Sequence, residues 1–272
     1  MIDWFAQLSP VLQALLAGGF TWLMTLLGAG TVLLKRELPQ AWLDSMAGFA
    51  GGVMIAASFW SLLAPGIEIA EAREGWPPWL VAAGGFILGA LFVSLADRLL
   101  PHLHPGMDQA EGPPSTLRRS TLLFMAMTIH NIPEGLALGV AFGAVASGAD
   151  FALGTTLSAA VALSIGIGIQ NLPEGVAVAM PLRKSGLSRW KCFHAGHLSA
   201  IVEPLAAVAG ALLVVRVEFL LPWALAFAAG AMIFVVVEEL VPEAQSNGRV
   251  DLASLSVIAG FTVMMVLDVA LG

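Results

Sequence analysis

Two six-residue stretches carry the residues that could do chemistry: HNIPEG at 130 to 135 and QNLPEG at 170 to 175, each inside a long apolar run. At 3.6 residues per turn His130 and Glu134 share one helix face, as do Gln170 and Glu174, and each Asn stands three residues before its Glu. Each stretch thus aims several oxygen or nitrogen donors in one direction, an arrangement suited to holding a cation. Pro133 and Pro173 lack an N–H, so the carbonyls of Ile129 and Ile169 lose their usual helix partners and a kink is expected. A carbonyl released in this way is useful beside a cation and costly elsewhere.

The surroundings make these residues expensive. Of 272 residues 58% are hydrophobic and 11% charged, with a mean hydropathy of +0.87, whereas a soluble domain carries about 25% charged residues. The composition is that of a membrane protein, with little chain left for a soluble domain. A charge at mid-bilayer costs about 2.5 to 3.5 kcal/mol even on a lenient scale, and Glu134, Glu174 and Glu203 all fall at such positions. A bound cation is the simplest compensation.

The net charge of −7 comes from scattered carboxylates, and no basic patch or basic-aromatic interleaving suggests nucleic acid. With Cys192 the only cysteine, an intrachain disulfide and a cysteine-based zinc knuckle are excluded. The first apolar run, 11 to 34, is longer than a signal-peptide core and is expected to be a retained span.

Nearly charge-free stretches recur at 10–34, 42–67, 76–96, 119–147, 152–182, 193–215, 219–241 and 251–271, which predicts eight transmembrane helices. Segments of alternating polarity, as a barrel needs, are absent. The expected fold class is therefore an all-α polytopic membrane protein, one domain over 1–272, since no separator is long enough to divide it. Lys35, Arg36, Arg98, Arg118, Arg119, Arg183, Lys184, Arg189, Lys191 and Arg249 fall after odd-numbered helices, against Arg73 and Arg216 after even ones. Positive charges stay in the cytoplasm, so both termini are expected outside. Gly- and Ala-rich strings such as GFAGGVMIAAS at 48 to 58 suit close helix contact in lipid, and such faces are compatible with a homodimer.

Similar Asn-Pro-Glu-Gly motifs on consecutive, oppositely directed helices are what an inverted-topology repeat leaves in sequence. For the two motifs to lie level, part of 143–157 must run outside the membrane as an extended loop, because twenty residues of helix would span about 30 Å.

With HNIPEGLALGV, QNLPEGVAVAMPLRKSGLSR and GHLSAIVEPLAA at 196 to 207, the chain resembles the ZIP (Zrt/Irt-like protein) family of divalent-metal transporters over nearly its whole length, most closely the GufA-like prokaryotic branch. The resemblance implies eight helices in a 3+2+3 inverted-repeat bundle, in a bacterial plasma membrane. It implies metal held between helices two, four, five and six and moved into the cytoplasm. Carried onto this chain, one site comprises His130, Glu134, Gln170 and Glu174 with Met54 nearby. A second comprises Asn131, Asn171, Glu174 and Glu203 with Glu134 shared. Some relatives have an acidic residue where this chain has Asn171, and a missing carboxylate weakens the attraction for a second dication; one strong and one weak or transit site is expected. The donors suit Zn²⁺, Fe²⁺, Mn²⁺ or Cd²⁺, with Zn²⁺ favoured as transported substrate rather than as cofactor.

Other polar residues are weighed against plainer roles. Glu238, Glu239 and Glu243 fit exit-path ligands and a solvated helix end equally well. His194 and His197 open helix six; His102 and His104, in the PHLHPG loop, are expected at a solvated interface. Asp44, Asp97 and Asp268 are expected to cap helices or pair with neighbours such as Arg98. Two other functions compete with transport. An intramembrane metal-dependent hydrolase lacks a His-Glu-x-x-His motif here, so the chain is not expected to be an enzyme. A passive pore should tolerate Glu134→Gln, which a ligand cage should not.

Overall fold

The computed structural model describes residues 2–73, 75–103, 112–115, 117, 119–146 and 155–271. After a short helix at Ile2–Ala6, eight long helical stretches follow among the described residues: α1 (Pro10–Leu34), α2 (Gln40–Ala72), α3 (Pro78–Leu99), α4 (Arg119–Val145), α5 (Leu157–Lys184), α6 (Arg189–Arg216), α7 (Glu218–Gln245) and α8 (Val250–Leu271). No strand occurs among these residues, as lipid demands of a chain without a closed barrel. Seven of the eight are long and apolar enough to cross a membrane. The other, α4, is 27 residues long, and its own HNIPEG motif interrupts its apolar run. The chain is an all-α polytopic membrane protein.

Local signals set the helix starts. Ser9 accepts a hydrogen bond from Leu12 N ahead of Pro10 in α1, Thr156 accepts from Ala159 N at 3.1 Å to open α5, and Ser188 accepts from Lys191 N at 3.4 Å to open α6. Each satisfies one of the N–H groups that a first turn leaves unpaired. The Ser188 cap explains why α6 begins at 189 rather than at the expected 193. Residues 147–154, where most of the expected extended loop falls, and His104 lie outside the described residues.

Four tight helix pairs build the bundle: α1 with α5, α4 with α6, α2 with α8, and α3 with α7. Each is tight because a glycine faces bare backbone. A Cβ at Gly28, Gly139, Gly52 or Gly89 would strike the carbonyl oxygen of Leu172, Ala207, Val257 or Phe227 respectively, so only glycine permits these approaches. Exchanging α1, α2, α3 and α4 for α6, α7, α8 and α5 carries the four pairs into one another, the permutation that a three-plus-two-plus-three repeat requires. Further contacts join α1 to α4 and α6, and α2 to α3 and α7. Two groups result, α1/α4/α5/α6 and α2/α3/α7/α8. They meet along a seam where α2 and α8 face α5, and α7 faces α4.

The exchange also relates two wide, π-helical turns, at Ser58–Leu63 in α2 and Val236–Leu240 in α7. Each precedes a proline, Pro65 and Pro242, whose ring would press on the carbonyl four residues earlier, at Ser61 or Glu238. Those residues sit inside the wide turns, so one extra residue per turn relieves the clash. Pro133 and Pro173, by contrast, lie inside unbroken α-helix.

The acidic residues near helix ends lie beside polar partners. Asp44 meets Arg249 at 2.8 Å and Asn247 at 3.0 Å, and Asp268 accepts from Ser61 Oγ at 2.6 Å. Asp97 lies 3.7 Å from His102 Nε2 rather than pairing with Arg98. His102, expected at a solvated interface, is buried, with Nδ1 2.9 Å from the carbonyl of Leu100. Next to it, Leu103 N donates to the carbonyl of Leu122 in α4.

Candidate metal centre

Helices α4 and α5 each deliver one motif to the interior. His130, Asn131 and Glu134 project from α4, Gln170, Asn171 and Glu174 from α5, and Glu203 from α6, and all seven are buried. Helical periodicity alone puts His130 over Glu134 and Gln170 over Glu174; the contact of α4 with α5 then joins the two faces.

His130 Nε2 lies 3.7 Å from Glu134 Oε1 and 3.9 Å from Glu174 Oε1. One ligand atom from each of the three residues falls within 4.8 Å of the others. Neighbouring ligands on a tetrahedral zinc stand roughly 3.4 Å apart, so these spacings are too long for hydrogen bonds and close to those of a shared cation. Gln170 Nε2 donates to Glu134 Oε1 at 2.9 Å and reaches Glu174 Oε1 at 3.5 Å. The amide ties the two carboxylates together and leaves its own Oε1 for other use.

Behind His130, its Nδ1 lies 3.2 Å from Glu239 Oε2, on the wide turn of α7. A neutral imidazole with its proton on Nδ1 donates to that carboxylate and keeps the Nε2 lone pair for a cation, the usual outer support of a metal-binding histidine. Glu239 therefore belongs to the site, and the bond crosses the seam. Its sequence signal was an acidic residue in an apolar run, which a helix end explained equally well.

The far end of the cluster is built differently. Asn171 Nδ2 donates to Glu203 Oε2 at 2.8 Å, and Glu134 lies within electrostatic reach of both Glu174 and Glu203. The hydroxyl of Thr21, in α1, donates to the same Oε2. No feature of the sequence singled out Thr21. Met54 is fully buried in the main apolar core of α2. His194 and His197 contact each other, Nδ1 to Nε2 at 3.1 Å, among Trp190 and Phe193.

Seven buried atoms of the cluster have no hydrogen-bond partner among the described residues: His130 Nε2, Asn131 Oδ1, Glu134 Oε2, Gln170 Oε1, Asn171 Oδ1, Glu174 Oε2 and Glu203 Oε1. Each such atom costs about 1 to 3 kcal/mol, and folded proteins keep few of them. Six are oxygens and one is an imidazole nitrogen, a donor set for a divalent cation.

An all-helical membrane bundle with an acidic, unsatisfied cluster inside it defines an integral membrane protein equipped to handle cations. A model of the family described as ZIP Zinc transporter matches residues 107–268. Zinc transporter ZIP11 of Homo sapiens is 42% identical over 341 residues, covering 97% of this chain and 98% of that protein. Zinc transporter GufA of Myxococcus xanthus is 37% identical over 265 residues, covering 96% and 98%. Zinc transporter ZIPB of Bordetella bronchiseptica is 38% identical over 261 residues, covering 95% and 81%. The chain belongs to the ZIP family, a family of transporters rather than enzymes.

Proposed function

We propose that this protein moves a divalent metal cation, Zn²⁺ foremost, across the membrane into the cytoplasm, through the cluster that α4, α5 and α6 form. One observation carries the reading: seven unpartnered donor atoms at the centre of a membrane bundle, whose cost a passing dication offsets. Family membership and the names of the relatives supply the substrate class.

In this reading the whole chain is one transmembrane domain crossing the bilayer eight times, α4 included, in a bacterial plasma membrane with both termini outside. His130, Glu134, Gln170 and Glu174 hold the ion more tightly, with Met54 of α2 as a thioether neighbour. Asn131, Asn171, Glu203 and the shared carboxylates form a weaker, oxygen-only stage. The amide at Asn171, where a carboxylate would add charge, is the reason for the difference.

The test is ⁶⁵Zn²⁺ uptake into proteoliposomes at equal reconstitution, comparing the unmodified protein with Glu134→Gln and Glu174→Gln. Uptake is expected in the first and lost in both variants, a drop of at least about a hundredfold as ligands leave a metal site. Undiminished uptake by either variant would overturn the assignment.

A further inference from the structure

Helix α1 carries no charged residue between Pro10 and Leu34. We propose that Thr21 of α1 is a positioning residue: it holds Glu203 and Asn171 so that each turns one unpartnered oxygen to the passing cation. The proposal rests on reading the cluster as a transport site.

Thr21 is fully buried. Its hydroxyl has one proton and two acceptors within reach, the carbonyl of Gly18 at 3.1 Å and Glu203 Oε2. The carboxylate is nearer and charged, hence the stronger acceptor. The backbone carbonyl of Thr21 accepts from Asn171 Nδ2 at 3.3 Å, while the same Nδ2 donates to Glu203 Oε2 at 2.8 Å. A three-cornered arrangement results, with consequences for both partners. Glu203 Oε2 receives two donors, and Glu203 Oε1 has none among the described residues. Both hydrogens of the Asn171 amide are used, and Asn171 Oδ1 has no donor among the same residues.

Turning the Asn171 amide over would set its oxygen against the Thr21 carbonyl and the Glu203 carboxylate, acceptors facing acceptors. The observed orientation is thus enforced, and it leaves Oδ1 as a neutral ligand. Likewise, with Oε2 anchored, Glu203 meets a cation through Oε1 alone. The anchor is firm because α1 and α6 touch at backbone distance here: a Cβ at Gly18 would meet Pro204, the residue after Glu203.

Thr21→Val keeps the shape and the backbone carbonyl but removes the hydroxyl; Thr21→Ser keeps the hydroxyl. In ⁶⁵Zn²⁺ uptake, Thr21→Val is expected to raise KM about tenfold, the loss of one charge-assisted hydrogen bond, while Thr21→Ser stays within about twofold of the unmodified protein. Equal KM for the two variants would overturn the proposal. Equilibrium ⁶⁵Zn²⁺ binding to purified protein supplies the second reading, free of reconstitution yield. Glu203→Gln keeps the packing, and its one remaining oxygen is drawn to the two donors, Thr21 and Asn171, so that the NH₂ group faces the cation; Thr21→Val added to it should therefore change Kd no further, and a further tenfold loss would mark Thr21 as merely structural. Glu134→Gln run alongside separates the two levels. If it loses uptake while the two Thr21 variants match, only the role of Thr21 falls. If it transports normally, the transport site falls and the role of Thr21 with it.

Discussion

His130 and Glu203 stand at opposite ends of one polar cluster, and they are supported from opposite sides of the molecule. His130, on α4, is steadied by Glu239 of α7, a helix of the other group, so its support crosses the seam. Glu203, on α6, is steadied by Thr21 of α1 and Asn171 of α5, all within its own group. The His130 end mixes an imidazole with carboxylates; the Glu203 end offers oxygen alone. Relative displacement of the two helix groups would therefore disturb the nitrogen-bearing end and leave the oxygen end intact. The difference shows how a repeated motif can yield two unlike environments: the repeats supply matching backbones, and the neighbours decide what each end becomes.

The comparison breaks first at His130. Loss of the cluster's imidazole in His130→Ala is expected to weaken Zn²⁺ binding by more than about a hundredfold, whereas Asn131→Ala, one residue on, should cost about tenfold; equilibrium binding to purified protein measures both, and equal losses would erase the distinction between the ends. Next comes the support that crosses the seam. Glu239→Ala leaves every proposed ligand in place, yet should weaken binding about tenfold by freeing the imidazole to turn, and an unchanged Kd would mean that the bond to His130 orients nothing. A smaller effect is expected from Asn171→Asp, which adds a carboxylate to the oxygen end: calorimetric titration should show a second Zn²⁺ bound per chain where the unmodified protein binds one tightly. Smallest of all is Lys184→Ala. The Lys184 contact with Gln40 also spans the seam, at 3.2 Å, but it is exposed, and such contacts contribute about 0 to 1 kcal/mol; thermal unfolding in detergent should move by no more than a few degrees.

Much of this arrangement could be read along the chain. Apolar runs located the helices to within a few residues, because lipid imposes length and composition directly. The two Asn-Pro-Glu-Gly stretches announced the cluster, since a buried carboxylate needs a reason. What stayed hidden was contact between residues distant in sequence. Thr21 meets Glu203 across 182 positions, and a threonine in an apolar helix is ordinary until its neighbour is known. Glu239 pointed equally to water or to the interior, and only the wide turn before Pro242 decides which way it faces. His102 looked solvated because its loop is polar, yet it is fully buried, with Nδ1 against the carbonyl of Leu100. Periodicity describes one helix at a time, and these residues depend on the meeting of two or three.

The wide turns at Ser58–Leu63 and Val236–Leu240 bear on how this family of sequences can change length. A π-turn holds one residue more than the α-helical turn it replaces, so the helix beyond it keeps the phase of a chain that lacks that residue. Deleting a single residue from Val236–Leu240 would close the turn to a regular spiral, set the Pro242 ring against the carbonyl four residues before it, and re-aim the residues inside the turn. Glu239 is one of them, and it would leave His130. These two turns are therefore positions where a one-residue indel should be far more damaging than several substitutions, and where alignments of related chains ought to hold their length even as residue types drift.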